Sequence, residues 1–160
     1  GAKISLENNI INNYEEPLAD INVKYSKLKG INLDSTYSAR MIDEYPILAI
    51  AAAVASGKTK LNGLAELRHK ESDRFMVIIN GLESCGIKVE SKNDDIIIHG
   101  HNKVLGGTTI DCNNDHRIAM SFIILGALSL RPINVIGCKS ISTSYPTFIS
   151  DMNGLGMDIR

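Results

Sequence analysis

The chain has 160 residues, of which 44% are hydrophobic and 22% charged, and this composition is typical of a globular domain with a buried core. A formal charge of −1 and an aromatic content of 5% argue against a surface for nucleic acid or an anionic membrane. No apolar run is long enough to span a bilayer. The three cysteines are far apart and fit no zinc spacing with the histidines, so we expect reduced thiols, a cytoplasmic protein, no metal and no cofactor.

The first 35 residues alternate between apolar and polar side chains, a pattern that predicts β-strands. "AKISLEN", residues 2–8, predicts the first strand. "DINVKYSKLKGINLDS", residues 20–35, predicts continued strand structure. The polar segment "NNIINNYEEPLA", residues 8–19, predicts a hairpin between the first two strands.

Two small-residue apolar segments predict buried helices, at 43–56 and 115–129. The first, in "MIDEYPILAIAAAVAS", opens with acids and a proline, which suit a first helical turn because its free amides favour negative charge. The second lies in "NDHRIAMSFIILGALS". Both are apolar almost all round, so we expect them to be the innermost helices.

Strands and amphipathic helices follow each buried helix in the same order. After the first come a strand at 57–63, a helix at 71–86 and a hairpin turning at Asn93-Asp94. The second helix follows a strand at 108–113, and after it come a strand at 132–137, a helix at 145–156 and the start of a strand at 157–160.

A self-similarity with a period of about 70 residues predicts an α+β fold built from repeated units. Each unit has the order strand, helix, strand, helix, strand, strand (βαβαββ). We place unit 1 at about 20–100 and a truncated unit 2 at about 104–160, with 1–19 as the end of a preceding unit. The chain is therefore expected to be a piece of a longer array.

Charged residues stand at the start of both buried helices. Asp43 and Glu44 open the first, and Asp115, His116 and Arg117 open the second. The free amides and the dipole of a helix N-terminus favour anions, and an arginine strengthens such a site. These positions therefore suit a ligand that carries phosphate or carboxylate groups.

A third charged cluster, "KESDR" at 70–74, opens the predicted amphipathic helix. Its spacing predicts that Lys70, Glu71 and Arg74 share one helical face. Arginine binds carboxylates bidentately, and a lysine can hold a neighbouring glutamate ionised or receive its proton, so the cluster suits acid–base chemistry on an anion. Each charged position alone also has an ordinary explanation, as a helix cap, a helix-end histidine or a solvated ion pair.

Three motifs, "DEYPILAIAAA", "LRHKESDR" and "NDHRIAMSF", together strongly resemble the 5-enolpyruvylshikimate-3-phosphate (EPSP) synthase family of 3-phosphoshikimate 1-carboxyvinyltransferases. The resemblance runs over essentially the whole chain and matches the C-terminal portion of that enzyme. It implies part of one domain of an inside-out α/β barrel with buried helices. It also implies that a missing N-terminal portion completes the site, so we expect the fragment alone to be inactive.

The resemblance implies transfer of the enolpyruvyl group from phosphoenolpyruvate to the 5-hydroxyl of shikimate 3-phosphate, with release of phosphate. Asp43 would contact that hydroxyl as the candidate base, and Glu71 would protonate the methylene of phosphoenolpyruvate. Lys70 would lie near the reacting hydroxyl. Arg74 and Arg117 would hold phosphoenolpyruvate, and His116 would pack beside that site as a further substrate-binding residue.

One departure from the family pattern is "TSYP" at 143–146, where many members have "KTFP". Thr143 takes the place of a lysine that reaches the phosphate, as in the subgroup that includes naturally glyphosate-tolerant enzymes. Two other interpretations stay open: a folded module without catalysis, and the related UDP-N-acetylglucosamine carboxyvinyltransferase. The latter uses a cysteine in another portion of the fold and lacks signatures like those at 70–74 and 114–120.

Overall fold

The computed structural model describes residues 1–10, 17–101 and 103–160. An antiparallel hairpin of β1 (Lys3–Ile10) and β2 (Leu18–Lys24) begins the chain and confirms the first two predicted strands. Half of the hairpin loop predicted at 8–19, residues 11–16, lies outside the described residues, and at its two ends β1 and β2 extend into the predicted loop. Four aliphatic side chains on one face of the hairpin are 57–67% exposed: Ile4, Leu6, Ile21 and Val23.

The strand predicted for residues 20–35 is interrupted after β2, so this prediction is wrong in its middle part. The segment that follows pairs with a different neighbour. Gly30 N donates to Ser56 O at 2.8 Å, and Ser56 N donates to Leu28 O at 2.9 Å. Strand structure resumes only at β3 (Asn32–Leu33), where the chain pairs with the strand that contains Lys60 and Leu61 and no longer with the hairpin.

A four-stranded sheet forms the framework of the first half. It contains β3, β4 (Gly57–Leu61), β5 (Lys88–Lys92) and β6 (Asp95–Gly100), in the order β3-β4-β6-β5. β3 and β4 are parallel, whereas β6 is antiparallel to both of its neighbours. The predicted hairpin turn at Asn93-Asp94 is confirmed, and Asn93 there has a φ of 54°, which asparagine tolerates better than most residues.

The first buried helix is α2 (Tyr45–Val54), which follows the short helix α1 (Ser38–Met41) and a 3₁₀ turn, Ile42–Glu44. Proline occupies its first turn, as expected. Ile47 is the one clearly exposed residue among the ten of this helix. The prediction of a buried helix is confirmed, with bounds two residues shorter at each end.

The amphipathic helix α3 (Arg74–Ser84) starts three residues later than predicted. Asp73 is its N-cap, and its side chain accepts the amide of Met76 at 3.0 Å. This cap fixes the helix start, because an aspartate outside the helix satisfies a free amide inside it. Lys70 and Glu71 therefore precede the helix, and the prediction that they share a helical face with Arg74 is wrong.

The second half of the chain is built around α4 (His116–Gly126), none of whose residues is fully exposed, which confirms the second buried helix. Two parallel strand pairs accompany it. One joins β7 (Val104–Gly106) to β9 (Ser129–Arg131), and the other joins β8 (Thr109–Asp111) to β10 (Asn134–Ile136). The strands of the first pair were not predicted. Helices α5 (Ile141–Ser144) and α6 (Phe148–Gly154) follow.

The end of the chain differs from its prediction. The helix expected at 145–156 begins at Phe148, and α5 precedes it. The strand expected at 157–160 is absent from the structure, which describes all four residues. Ile159 bonds instead to the side chain of Asn153, donating its N–H to Oδ1 at 2.9 Å and accepting from Nδ2 at 3.2 Å. The side-chain amide of Asn153 thus makes the two hydrogen bonds to the Ile159 backbone that a neighbouring strand would otherwise make.

Helices α2, α3 and α4 pack on one another and share a single hydrophobic core with the four-stranded sheet. α3 and α4 approach closely where Gly81 faces the ring of Phe122, and a methyl group on Gly81 would overlap that ring. The prediction of a mixed α and β fold is confirmed. In the part of the chain that the structure describes, no helix is long and apolar enough to cross a membrane.

Candidate active site

The guanidinium of Arg74 lies at the centre of the predicted site and is completely buried, with 0% of the residue exposed. Its Nε donates to Asp115 Oδ2 at 2.7 Å, and its Nη1 donates to Asp43 Oδ1 at 2.8 Å. Its Nη2 donates to Glu71 Oε2 at 2.5 Å. Burial by itself would lower the pKa of Arg74, but the three carboxylates raise the pKa above its ordinary value, so the cation is retained.

Asp115 joins two of the charged segments through one buried carboxylate. Its Oδ1 accepts the amides of Arg117 at 3.0 Å and Ile118 at 3.3 Å, which caps α4. Its Oδ2 accepts from Arg74 and from the hydroxyl of Ser72, the latter at 3.1 Å. The capping role expected for Asp115 is confirmed, and the bond to Arg74, 41 positions away, is an additional role that the sequence did not indicate.

Asp43 lies in the 3₁₀ turn before α2, where three cations surround it. Besides Arg74, Lys70 Nζ lies 3.6 Å from its Oδ1, and Arg117 Nη1 donates to its backbone oxygen at 3.0 Å. Partial burial raises the pKa of Asp43, but the hydrogen bond from Arg74 and the nearby positive charges outweigh it and leave the pKa below its ordinary value. Asp43 is therefore an ionised hydrogen-bond acceptor at neutral pH.

Arg117 lies at the open side of the cluster, and 34% of its side chain is exposed. Its Nη1 donates to Glu44 Oε1 at 3.0 Å as well as to the oxygen of Asp43. His116 is the first residue of α4, beside Arg117, and is partly exposed. The starts of α2 and α4 and the segment before α3 are thus brought to one place, as expected.

A cavity of about 360 Å³ opens beside Arg117. Its charged end is formed by Asp43, Glu44 and Arg117, and the rest is mostly apolar. The apolar wall comes from α2, α4 and α6: Ile47, Met120, Ile124, Phe148 and Met152. Such a space can accept a small anion with its charge toward the arginine and its carbon skeleton toward the helices.

Thr143, which stands where many family members have a lysine, lies on the surface in α5 and donates its hydroxyl to Ser140 O at 2.9 Å. Ser72 and the Arg74 contact of Asp115 were missed by sequence reasoning, because side chains that meet from distant segments leave no local pattern. Among the described residues, no three His, Cys, Asp or Glu side chains are grouped in a way that could hold a metal ion.

The family was established by comparison with known proteins. A family model described as EPSP synthase (3-phosphoshikimate 1-carboxyvinyltransferase) matches residues 1–152. The chain belongs to the EPSP synthase family. Relatives named 3-phosphoshikimate 1-carboxyvinyltransferase include one from Paramagnetospirillum magneticum, 48% identical over 90% of this chain and 32% of its own length. Another, from Cereibacter sphaeroides, is 45% identical over 99% of this chain and 36% of its own length.

Solved structures agree with the fold. EPSP synthase from Acinetobacter baumannii superposes on 99% of this chain with a TM-score of 0.92 and 42% identity, over 37% of its own length. The enolpyruvyl transferase NikO from Streptomyces tendae, at 17% identity and a TM-score of 0.70, shares the fold. This chain spans about a third of the length of the curated EPSP synthase relatives it matches.

Proposed function

We propose that the chain is part of a 3-phosphoshikimate 1-carboxyvinyltransferase. This enzyme transfers the enolpyruvyl group of phosphoenolpyruvate to the 5-hydroxyl of shikimate 3-phosphate and releases phosphate. The observation that carries the proposal is the convergence of Arg74, Lys70 and Arg117 on Asp43, with Glu71 held by Arg74, in a chain of the EPSP synthase family. Fixed cations beside carboxylates provide both anion binding and proton transfer.

The residues divide the work between binding and proton transfer. Glu71 donates a proton to the methylene carbon of phosphoenolpyruvate while the substrate hydroxyl attacks the neighbouring carbon. Asp43 orients that hydroxyl and accepts its proton, assisted by Lys70. Arg74 and Arg117 hold phosphoenolpyruvate, and His116 packs beside that site as a further substrate-binding residue. The exposed half of the Glu71 side chain and the partly exposed side chain of Arg117 support these assignments, because both can be reached from solvent.

We place the chain in a larger architecture as two βαβαββ units of an inside-out α/β barrel, unit 1 at about 20–100 and a truncated unit 2 at about 104–160. Residues 1–19 end a preceding unit. α2 and α4 are the inner helices, related by a rotation close to threefold. The burial of both helices and the sequence repeat support this placement. An N-terminal portion of the same cytoplasmic enzyme supplies the opposite wall of the cleft.

We expect the 160 residues alone to be inactive. Clamping two reactants in the right geometry supplies about 7–11 kcal/mol of a barrier, and one wall cannot clamp them. Water in an open cleft also weakens the charges that stabilise the transition state. The measurement is phosphate release from both substrates by the chain and by the parent enzyme. Turnover by the chain at the rate of the parent would refute this expectation.

The experiment that tests the proposed function uses the parent enzyme with Glu71→Gln. We expect kcat to fall by about two orders of magnitude or more, because amide cannot donate the proton that general acid catalysis requires. Phosphate release under saturating substrates is the readout. Glu66→Gln is the matched control, since it makes the same charge change at an exposed neighbouring position. If the unaltered parent releases no phosphate, the proposed function is wrong.

A further inference from the structure

The buried state of Arg74 limits how any ligand can reach it. Of the five N–H donors of a guanidinium, three are used by Asp115, Asp43 and Glu71. The two remaining donors are on a side chain that is only 1% exposed. An external anion can therefore contact Arg74 only by taking the place of one of its three carboxylates.

The three carboxylates differ in how firmly they are held. Asp115 is 0% exposed and also caps α4. Asp43 shares its carboxylate with Lys70, and its backbone oxygen is held by Arg117.

Glu71 is held least. Its side chain is 51% exposed and precedes the first turn of α3, where no helix fixes it. Its described polar contact is the one with Arg74 Nη2. Glu71 is consequently the carboxylate that leaves most easily.

We infer that Glu71 is an internal competitor for the carboxylate of phosphoenolpyruvate. In the empty site the Glu71 carboxylate occupies Arg74 Nη2, and the incoming carboxylate displaces it. This inference rests on the proposed function and adds a second role for Glu71. A planar carboxylate matches the guanidinium fork as Glu71 does, so one carboxylate replaces another.

The exchange keeps Arg74 Nη2 hydrogen-bonded throughout. Asp115 and Asp43 hold Nε and Nη1 in either state, whereas a buried N–H donor without an acceptor costs free energy, so Nη2 needs a partner when the site is empty. Glu71 provides that partner from inside the chain. Its cost is weaker substrate binding, since every bound carboxylate must first break the Glu71–Arg74 pair.

The test is the dissociation constant of phosphoenolpyruvate for the parent enzyme, measured by titration calorimetry. Glu71→Gln keeps a hydrogen-bond acceptor near Arg74 but removes its negative charge, so the competitor loses its charge–charge attraction to the guanidinium and binding is expected to tighten about fivefold. Glu71→Asp is too short by one methylene to keep the same contact, and we expect tighter binding there too. Glu66→Gln, the charge-matched control, is expected to leave the dissociation constant within about twofold.

The outcomes separate this inference from the function on which it rests. Tighter binding in both Glu71 variants, with lower kcat in Glu71→Gln, supports the exchange, because Glu71→Asp keeps the negative charge and loss of a proton donor alone lowers kcat without tightening binding. Unchanged or weaker binding in Glu71→Asp, with normal turnover in the unaltered parent, overturns the exchange and leaves the proposed function intact. Circular dichroism checks that the variants are folded, as expected for a half-exposed position.

Discussion

The two arginines of the site lie in opposite environments. Arg74 is fully buried among three carboxylates, whereas a third of the Arg117 side chain is exposed beside a carboxylate that is itself exposed. A buried cation depends on its partners, because removing one leaves an uncompensated charge in a low dielectric. An exposed ion pair gains little and is easily exchanged with solvent or ligand. Arg74 therefore organises the site and can meet a ligand only by exchange with one of its carboxylates, while Arg117 is directly available to a ligand.

The strongest challenge to this contrast is Arg74→Met. We expect the free energy of unfolding of the chain to fall by about 3–5 kcal/mol, because three carboxylates lose their shared cation and one of them is fully buried. Urea denaturation followed by circular dichroism measures the change. Arg160→Met, at a side chain that is 87% exposed, is the matched control. A loss below about 1 kcal/mol would contradict a framework role for Arg74.

Asp115 tests the same framework from the carboxylate side. Asp115→Ala removes both a helix cap and a buried partner of Arg74, and we expect a loss of about 2–4 kcal/mol in the free energy of unfolding. Asp115→Asn keeps an acceptor for the amides of α4 and should recover about 1 kcal/mol of the loss. Equal stability of the Ala and Asn variants would show that capping contributes nothing here.

Arg117 should give the opposite combination of effects. Arg117→Ala is expected to change the free energy of unfolding by less than about 1 kcal/mol, since its pair with Glu44 is exposed. In the parent enzyme the same variant should weaken phosphoenolpyruvate binding by at least about tenfold, because a charged hydrogen-bond donor to the ligand is lost. Calorimetry on matched samples checks both. Normal binding would remove Arg117 from the ligand site.

The smallest expected effect concerns pH. The pKa of Asp43 is lowered in the folded chain, so its ionised form contributes stability above the ordinary carboxyl pKa of 3.8. That contribution is lost as pH falls through the lowered value. We expect Asp43→Asn to have a shallower decrease of stability below pH 3.8 than the unaltered chain. Acid titrations followed by circular dichroism measure the two slopes, and identical slopes would contradict the assignment.

Elements fixed by local chemistry were predictable from the sequence. The two buried helices and the turn at Asn93 follow from apolar composition and turn preference, and they lie close to where they were expected. The predictions were wrong where a local pattern was compatible with two different helix starts, or where a side chain elsewhere in the sequence took the hydrogen bonds of a predicted strand. Asp73 and Glu71 could both open a helix by charge, and only the cap geometry distinguishes them. Residues 157–160 alternate as a strand does, yet Asn153 takes their hydrogen bonds.

The site was predictable in its members but not in its connections. The motifs identified the charged residues at three segment starts, and the structure brings those starts together. What the sequence could not supply was the degree of burial of Arg74 or its bond to Asp115, which are properties of packing between distant segments. Those two facts separate Arg74, which can meet a ligand only by exchange, from Arg117, which is partly exposed.

The close contact between Gly81 of α3 and Phe122 of α4, behind the site, limits which residues position 81 can accept. Because α3 meets α4 where this glycine faces Phe122, any larger residue would overlap the ring of Phe122, so either the ring or the two helices whose starts bear Arg74 and Arg117 would have to shift. Close-packed interiors transmit such displacements, and a shift of about 1 Å at reacting groups can cost about a hundredfold in rate. A single substitution of Gly81 by a larger residue is therefore disfavoured. A larger residue at position 81 becomes compatible with the helix packing when Phe122 is replaced by a smaller side chain at the same time.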